Sequence, residues 1–354
     1  MLWFVGTGIN GYRGLSVAAV DVLKKCDIVY VERFTSALSD SDLQGLNSIL
    51  ERQVDSVQRW FVEDGREILE AAKTKQVALV TYGDPLIATT HTELRSRAVR
   101  NSIKTAVLHA ASGIASIIGE TGLQVYKFGR MVTMMSEPHS AVSVYNTVYE
   151  NLIAGNHTFI LTEYSQSESN VPFFLDPSSV FRMLLDAERD QKHQIFSEGT
   201  FAVVAMRVGT SDQRITSGKL GSLLKIDFGA GPYSVIVTGS LHFTEAEALV
   251  ALTENIDQPS DNSQDVRRIS VQMVERYVPK AKQALQQMRD VVRQDTGSKG
   301  MFEVLDNAEY YLADAERFLR QAKFELAVLS IGYAEGLIDA LRFQKGINPW
   351  QTRG

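Results

Sequence analysis

Short apolar runs and amphipathic stretches follow one another through the first 110 residues. LWFV (2–5), DIVYVE (27–32), VALVTYG (77–83) and IKTAVLHA (103–110) predict strands. Between them, VAAVDVLKK follows Ser16, whose hydroxyl suits an N-cap, and sets Val17, Val20, Leu23 and Lys24 at helical spacing. EDGREILEAAK (63–73) and HTELRSRAVRN (91–101) predict two further helices. The βαβαβ order predicts a parallel sheet with helices on its faces.

From Ser112 and Gly113 a helix rich in Ala and Ile opens, and the pattern then changes. GNHTFILTEY (155–164), TFAVVAMRVG (200–209) and GPYSVIVTGS (231–240) predict strands rich in β-branched residues, with helices over 141–154, 177–189 and 243–253. These elements predict a second α/β layer with its own sheet. TENIDQPSDNSQD (253–265) is polar and turn-forming and reads as a linker. Beyond it the period is helical throughout. Ile269, Met273, Tyr277, Ala281, Leu285, Met288 and Val292 form one stripe, with Pro279 expected to kink or break the helix. After a turn at TGSKG (296–300), Phe302, Leu305, Leu312, Ala315, Leu319 and Ala322 mark a second helix. ELAVLSIGYAEGLIDALRF marks a third. The expected division is 1–110 and 111–252 as two α/β subdomains, 253–265 as linker and 266–346 as an all-α bundle.

Charge sharpens that division. Residues 262–354 carry 14 Lys and Arg against 12 Asp and Glu, a net of +2, so the rest carries −8 of the total −6. No global basic field points to nucleic acid. The basic residues of the first tail helix, from Arg267 to Arg293, read as a solvated face. The single cysteine, Cys26, excludes an internal disulfide and reads as a buried, inert thiol, in keeping with a reducing, cytoplasmic setting. No secretory leader and no membrane span are expected.

Three stretches carry candidate chemistry. GTGING (6–11) fits G-x-G-x-x-G after a strand, and Glu32 supplies an acid about 20 residues on, as a dinucleotide site would. Against that reading, the helix is better started by Ser16 than by the third glycine, and a plain tight turn is the alternative reading of the glycines. ALVTYGDPLIATTH (78–91) runs from a strand into Gly83-Asp84-Pro85, at the sheet edge where α/β ligands bind. Asp84 either meets a ligand or caps the next helix, and His91 reads as structural or capping. In LHAASGIASIIGETGLQVYKFG (108–129), small residues leave room for a flat ring or thin chain against the backbone.

Together, GTG after the first strand, LVTYGDPLIATTH and HAASGIASIIGETGLQVYKFG resemble the diphthine synthases, of the tetrapyrrole-methylase class. VGTSDQRITSGKLGSLLKIDFGAGPYSVIVTGSLHFTEAEAL (208–249) continues the likeness. The resemblance implies two α/β subdomains of the tetrapyrrole methylase type with the active site in the cleft between them, and a homodimer. It implies S-adenosylmethionine as methyl donor and the modified histidine of translation elongation factor 2 as acceptor. Cofactor contacts would fall on Ile9, Asp84, Ile87, Ser112, Gly113, Thr162, Val208 and Tyr233. No catalytic acid or base and no metal are expected. Tyr82 stands where the family commonly has proline. A tetrapyrrole-precursor methylase, an NAD-binding oxidoreductase and a non-catalytic adaptor remain as alternatives. The tail resembles small helical domains of unknown function.

Overall fold

The computed structural model describes residues 1–35, 38–166, 172–294 and 299–350, and the chain divides into two units, Met1–Val266 and Arg267–Gly354. The first unit opens with β1 (Leu2–Gly6), α1 (Val17–Lys25), β2 (Ile28–Glu32), α2 (Asp40–Leu50), β3 (Asp55–Val57), α3 (Arg59–Asp64), α4 (Arg66–Thr74), β4 (Val77–Thr81), α5 (His91–Arg100) and β5 (Thr105–Leu108). Its five strands lie parallel in the order β3-β2-β4-β1-β5. β4, at the centre, is buried at every position, as a strand covered on both faces must be.

The second half of this unit continues with α6 (Gly113–Thr121), β6 (Val132–Met134), α7 (Pro138–Ile153), β7 (Thr158–Thr162), β8 (Tyr164–Gln166), β9 (Pro172–Phe174), α8 (Pro177–Gln191), β10 (Phe201–Met206), β11 (Arg214–Lys219), α9 (Leu220–Leu223), β12 (Tyr233–Val237), α10 (Phe243–Leu252) and β13 (Glu254–Asn255). Six of its strands form a mixed sheet, β13-β11-β10-β12-β7-β6, and β8 pairs with β9 apart. Tyr145, Phe181, Phe228 and the inward side of β10 and β12 fill one face of that sheet, and Phe159, Phe201 and Ile236 the other.

Several expectations need adjustment. Ser16 caps α1 through Ala19 N, but the buried face is Ala19 and Leu23, followed by Cys26, while Val17 is 80% exposed. The helix expected over 63–73 is two helices parted at Gly65. Its φ is +62°, and Leu94 and Arg97 occupy the space a side chain would need. α2 and β3 were not expected, because α2 buries only Leu46 and Leu50 along a polar sequence and β3 is a three-residue edge. Residues 253–265 hold β13, which pairs with β11, and Asn262. The Asn262 amide donates to Phe201 O and Thr238 O and accepts from Phe201 N, so this stretch is fastened to the first unit.

The second unit packs α11 (Ile269–Arg293), α12 (Lys299–Arg320) and α13 (Phe324–Lys345) around Ala281, Leu285, Met288, Leu305, Leu312, Ala334 and Ile338. α11 runs through Pro279 without a break, since residues on both sides of the proline are held in the core. Its first turns bury Val274 and Val278, with the expected Tyr277 packed partly buried beside them, while Ile269 is exposed. Ala322, expected on the second helix, follows its end at φ +55°. Of the expected turn at 296–300, residues 296–298 lie outside the described residues. The basic residues of α11 are largely paired, Lys282 with Glu316 and Arg289 with Asp306 and Glu309.

Candidate active site

β1, β4 and β5 end together at one edge of the parallel sheet, and glycine lets them meet. Gly8 and Gly83 exchange reciprocal backbone hydrogen bonds of 3.1 and 2.9 Å. Both take positive φ, +72° and +73°. A side chain at Gly6 would strike Gly83 O and Ala110. The chain then turns through a 3-10 helix, Gly11–Gly14, before Ser16 starts α1. The glycine motif therefore makes a sheet-edge turn, and no helix begins at its third glycine. Glu32 is 1% exposed and its Oε2 accepts from Phe34 N and Thr35 N. A dinucleotide ribose has no acid to meet there.

Asp84 follows the turn at Gly83. Its Oδ1 accepts from Leu86 N at 3.0 Å. Its Oδ2 lies 2.7 Å from His109 Nδ1 and accepts from Ala110 N at 3.3 Å. The carboxylate thus ties the end of β4 to the end of β5. It caps no helix, because α5 does not start until His91. His91 is wholly buried, with Nδ1 3.0 Å from Pro85 O, and burial lowers its pKa. The Tyr82 hydroxyl donates to Ile9 O at 2.7 Å, joining the first loop to the second. Burial, helped by Asp42, pushes that phenol up to about 12, so it stays a donor.

These loops face the second sheet across a cavity of about 560 Å³, within the range of small-molecule sites. Ile9, Asp84, Ile87, Ser112, Gly113, Thr162, Val208 and Tyr233 all line it. Thr162 Oγ1 donates to Tyr233 O, setting the ends of β7 and β12 side by side. Gly209, at φ +89°, lets the loop after β10 close on Ile9. Phe34, Arg59, Glu163, Tyr164, Phe174 and Arg207 also line the cavity, and no motif or spacing in the sequence marks them. Tyr164 links the two halves, since its hydroxyl donates to Arg33 O at 2.8 Å. Among the described residues no cluster of His, Cys, Asp or Glu could hold a metal ion. No helix among them is long and apolar enough to cross a membrane.

The family model for tetrapyrrole (corrin/porphyrin) methylases matches residues 1–224. A diphthine synthase of Methanocaldococcus jannaschii is 33% identical over 72% of this chain and 100% of its own length. The chain belongs to the diphthine synthases. A diphthine methyl ester synthase of Dictyostelium discoideum is 32% identical over 70% of this chain and 96% of its own. The crystal structure of a diphthine synthase matches with a TM-score of 0.64 at 28% identity, covering 72% of this chain and 96% of that one. As a diphthine synthase the chain is a methyltransferase of diphthamide biosynthesis. A second family model, for a protein of unknown function (DUF357), matches residues 276–347 in the helical tail. The methanogen relative, aligned over its whole length, has no counterpart of more than a quarter of this chain.

Proposed function

We infer that the cavity binds S-adenosylmethionine and that the acceptor is the amino group of a modified histidine on translation elongation factor 2, a cytoplasmic protein. One observation carries the cofactor reading. Eight residues scattered from Ile9 to Tyr233, on loops of both sheets, converge on a single cavity. The wall suits such a ligand. A side chain built at Gly113 would meet only Ile9 Cγ2, at 3.9 Å, and one at Gly83 only Ala111 O, at 3.9 Å. Bare main chain therefore borders open space, where a ligand can lie close to the backbone. The Ser112 side chain makes no cap to α6, which leaves the first amides of that helix without a side-chain partner.

When bound, the cofactor supplies a methyl group on a positively charged sulfur, already a strong methyl donor. The work left to the protein is orientation and exclusion of water. Ile9, Ile87 and Val208 supply apolar surface for that purpose. Gly83 and Gly113 give the backbone its close approach, and Asp84 fixes the shape of the loop and offers its carboxylate at the wall. The acceptor amine must arrive neutral, and no side chain is assigned to its proton.

The test is incubation of the full chain with labelled S-adenosylmethionine and elongation factor 2 bearing the precursor side chain, read by peptide mass. Gain of methyl mass on the modified histidine is expected. No gain, with cofactor binding intact by calorimetry, would refute the acceptor. Mild alkali separates methyl on nitrogen, which survives, from a methyl ester, which is lost. That distinction matters because the Dictyostelium relative is named for an ester.

A further inference from the structure

Beside Tyr233, one of the eight residues, the cavity wall carries two further aromatic rings, Tyr164 and Phe174, and a carboxylate, Glu163. Tyr164 and Phe174 stack with centroids 5.0 Å apart and planes at 27°. Phe174 meets Tyr233 edge to face, at 6.2 Å and 81°. All three rings line the cavity. Their polar ends are committed elsewhere, Tyr164 to Arg33 O and Tyr233 to Gly229 O. Phe174 is seated over Gly231, where a side chain would collide with the ring. The rings are thus fixed in place and have no hydroxyl left to offer. Glu163, next to Tyr164, also lines the cavity and accepts from Ser136 N and Oγ through Oε2. The cavity's two arginines are occupied. Arg59 lies over the Phe34 ring, and Arg207 binds the carbonyls of Ala230 and Asp212.

Aromatic faces beside a carboxylate favour a cation, and above all one that has lost its N–H donors. A primary ammonium is held best by hydrogen-bond acceptors and by water. Each methyl added removes a donor, spreads the charge and weakens hydration, so the preference moves towards π faces. We propose that Tyr164, Phe174 and Tyr233, with Glu163 beside them, form an alkylammonium subsite that keeps the partly methylated product in place for the next transfer. This rests on the amine-methylation reading above. In each transfer the amine nitrogen's lone pair forms the new N–C bond as the C–S bond breaks, and the sulfur keeps that bond's electron pair as a neutral thioether. The first two products release a proton to water before reacting again, and the third is a permanent cation. The subsite therefore acts on retention and takes no part in bond making.

Two measurements on the full chain test it. Tetramethylammonium and ammonium chloride are titrated against wild type, Phe174→Leu, Tyr164→Leu and Tyr164→Phe, followed by NMR line shifts. Wild type should prefer tetramethylammonium. Each leucine variant should weaken that binding about fivefold, and Tyr164→Phe should retain it. Separately, product masses are followed during turnover. Wild type should pass to the highest methylated form with little accumulation of the first. The leucine variants should release singly and doubly methylated product in place of the highest form, whereas Tyr164→Phe should keep the wild-type product ladder. Equal tetramethylammonium affinity in all four proteins would overturn the subsite. So would an unaltered product ladder in the leucine variants, or a wild type that stops at one methyl. Tetramethylammonium selectivity lost in the leucine variants, with no methylation of elongation factor 2 by any protein, would refute the acceptor and leave the cation site standing.

Discussion

Asp84 and Glu32 are both buried carboxylates at the edge of the parallel sheet, yet their surroundings differ. Asp84 is met by two amides and His109. Asp84→Ala removes that junction from the cavity wall and should weaken S-adenosylmethionine binding about tenfold by calorimetry; an unchanged affinity would show that the carboxylate serves the loop alone. Glu32 is met by two amides on one oxygen, while Oε1 has no hydrogen-bond partner among the described residues. Burial outweighs the hydrogen bonds and pushes its carboxyl up to about 7. Between the ordinary value of 4.5 and about 7 the folded chain therefore holds a proton the unfolded chain has lost, and stability falls as pH rises through that window. Glu32→Gln keeps an oxygen for Phe34 N and Thr35 N and removes the titration. It should raise the melting temperature at pH 8, by up to about 3 kcal/mol of stability, and give no gain at pH 4.5. A melting temperature that moved equally at both would mean the carboxyl is not protonated in the fold. A sequence shows none of this, because the chain gives Glu32 the look of a ribose acid and only burial removes it from that role.

At the scale of elements, one buried network fastens the second sheet to its flank. Glu245, in the first turn of α10, accepts from Gln124 N and His242 N, is paired with Lys127, and lies 3.0 Å from His157 Nε2. Gly239 N donates to His157 Nδ1, which fixes the proton on Nε2, facing Glu245. Burial alone would raise the Glu245 carboxyl. Lys127, the two amides and His157 overcome it and bring the group down to about 2. Its contribution is present above pH 4.5 and is lost as pH falls towards 2. Glu245→Gln should cost about 3 kcal/mol at pH 7 in denaturant melts, and the gap to wild type should narrow steadily below pH 4.5. A gap independent of pH would assign the loss to packing. Elements with strong periodicity, such as β4, α5 and α7, were legible from sequence because one face or both must be dry. β3, β8 and β9 were not, since three-residue strands carry no period of their own. The Tyr164 and Phe174 rings of the cavity went unseen for a related reason: they meet across the β8–β9 pairing, which no local spacing records.

On the scale of the whole molecule, each unit has its own core. Among the described residues, the apolar clusters of the first end at Val266 and those of the second begin at Val274. The charge step and the change of period near residue 260 made that division readable. They did not show that 254–262 belongs to the first unit, because a two-residue strand and one asparagine amide look like linker in any sequence. Residues 1–266 alone should fold, bind S-adenosylmethionine with wild-type affinity and melt as the full chain's first unit does. Calorimetry that showed no separate transition in the truncated protein would contradict two independent cores. The Asn262 amide, closing on Phe201 and Thr238, has a last consequence. A catalytic body that is sealed by its own final residues can have foreign sequence spliced behind it without reworking its interior. In gene terms, position 266 is a seam where an appended module can be exchanged or lost at little cost to the chemistry upstream.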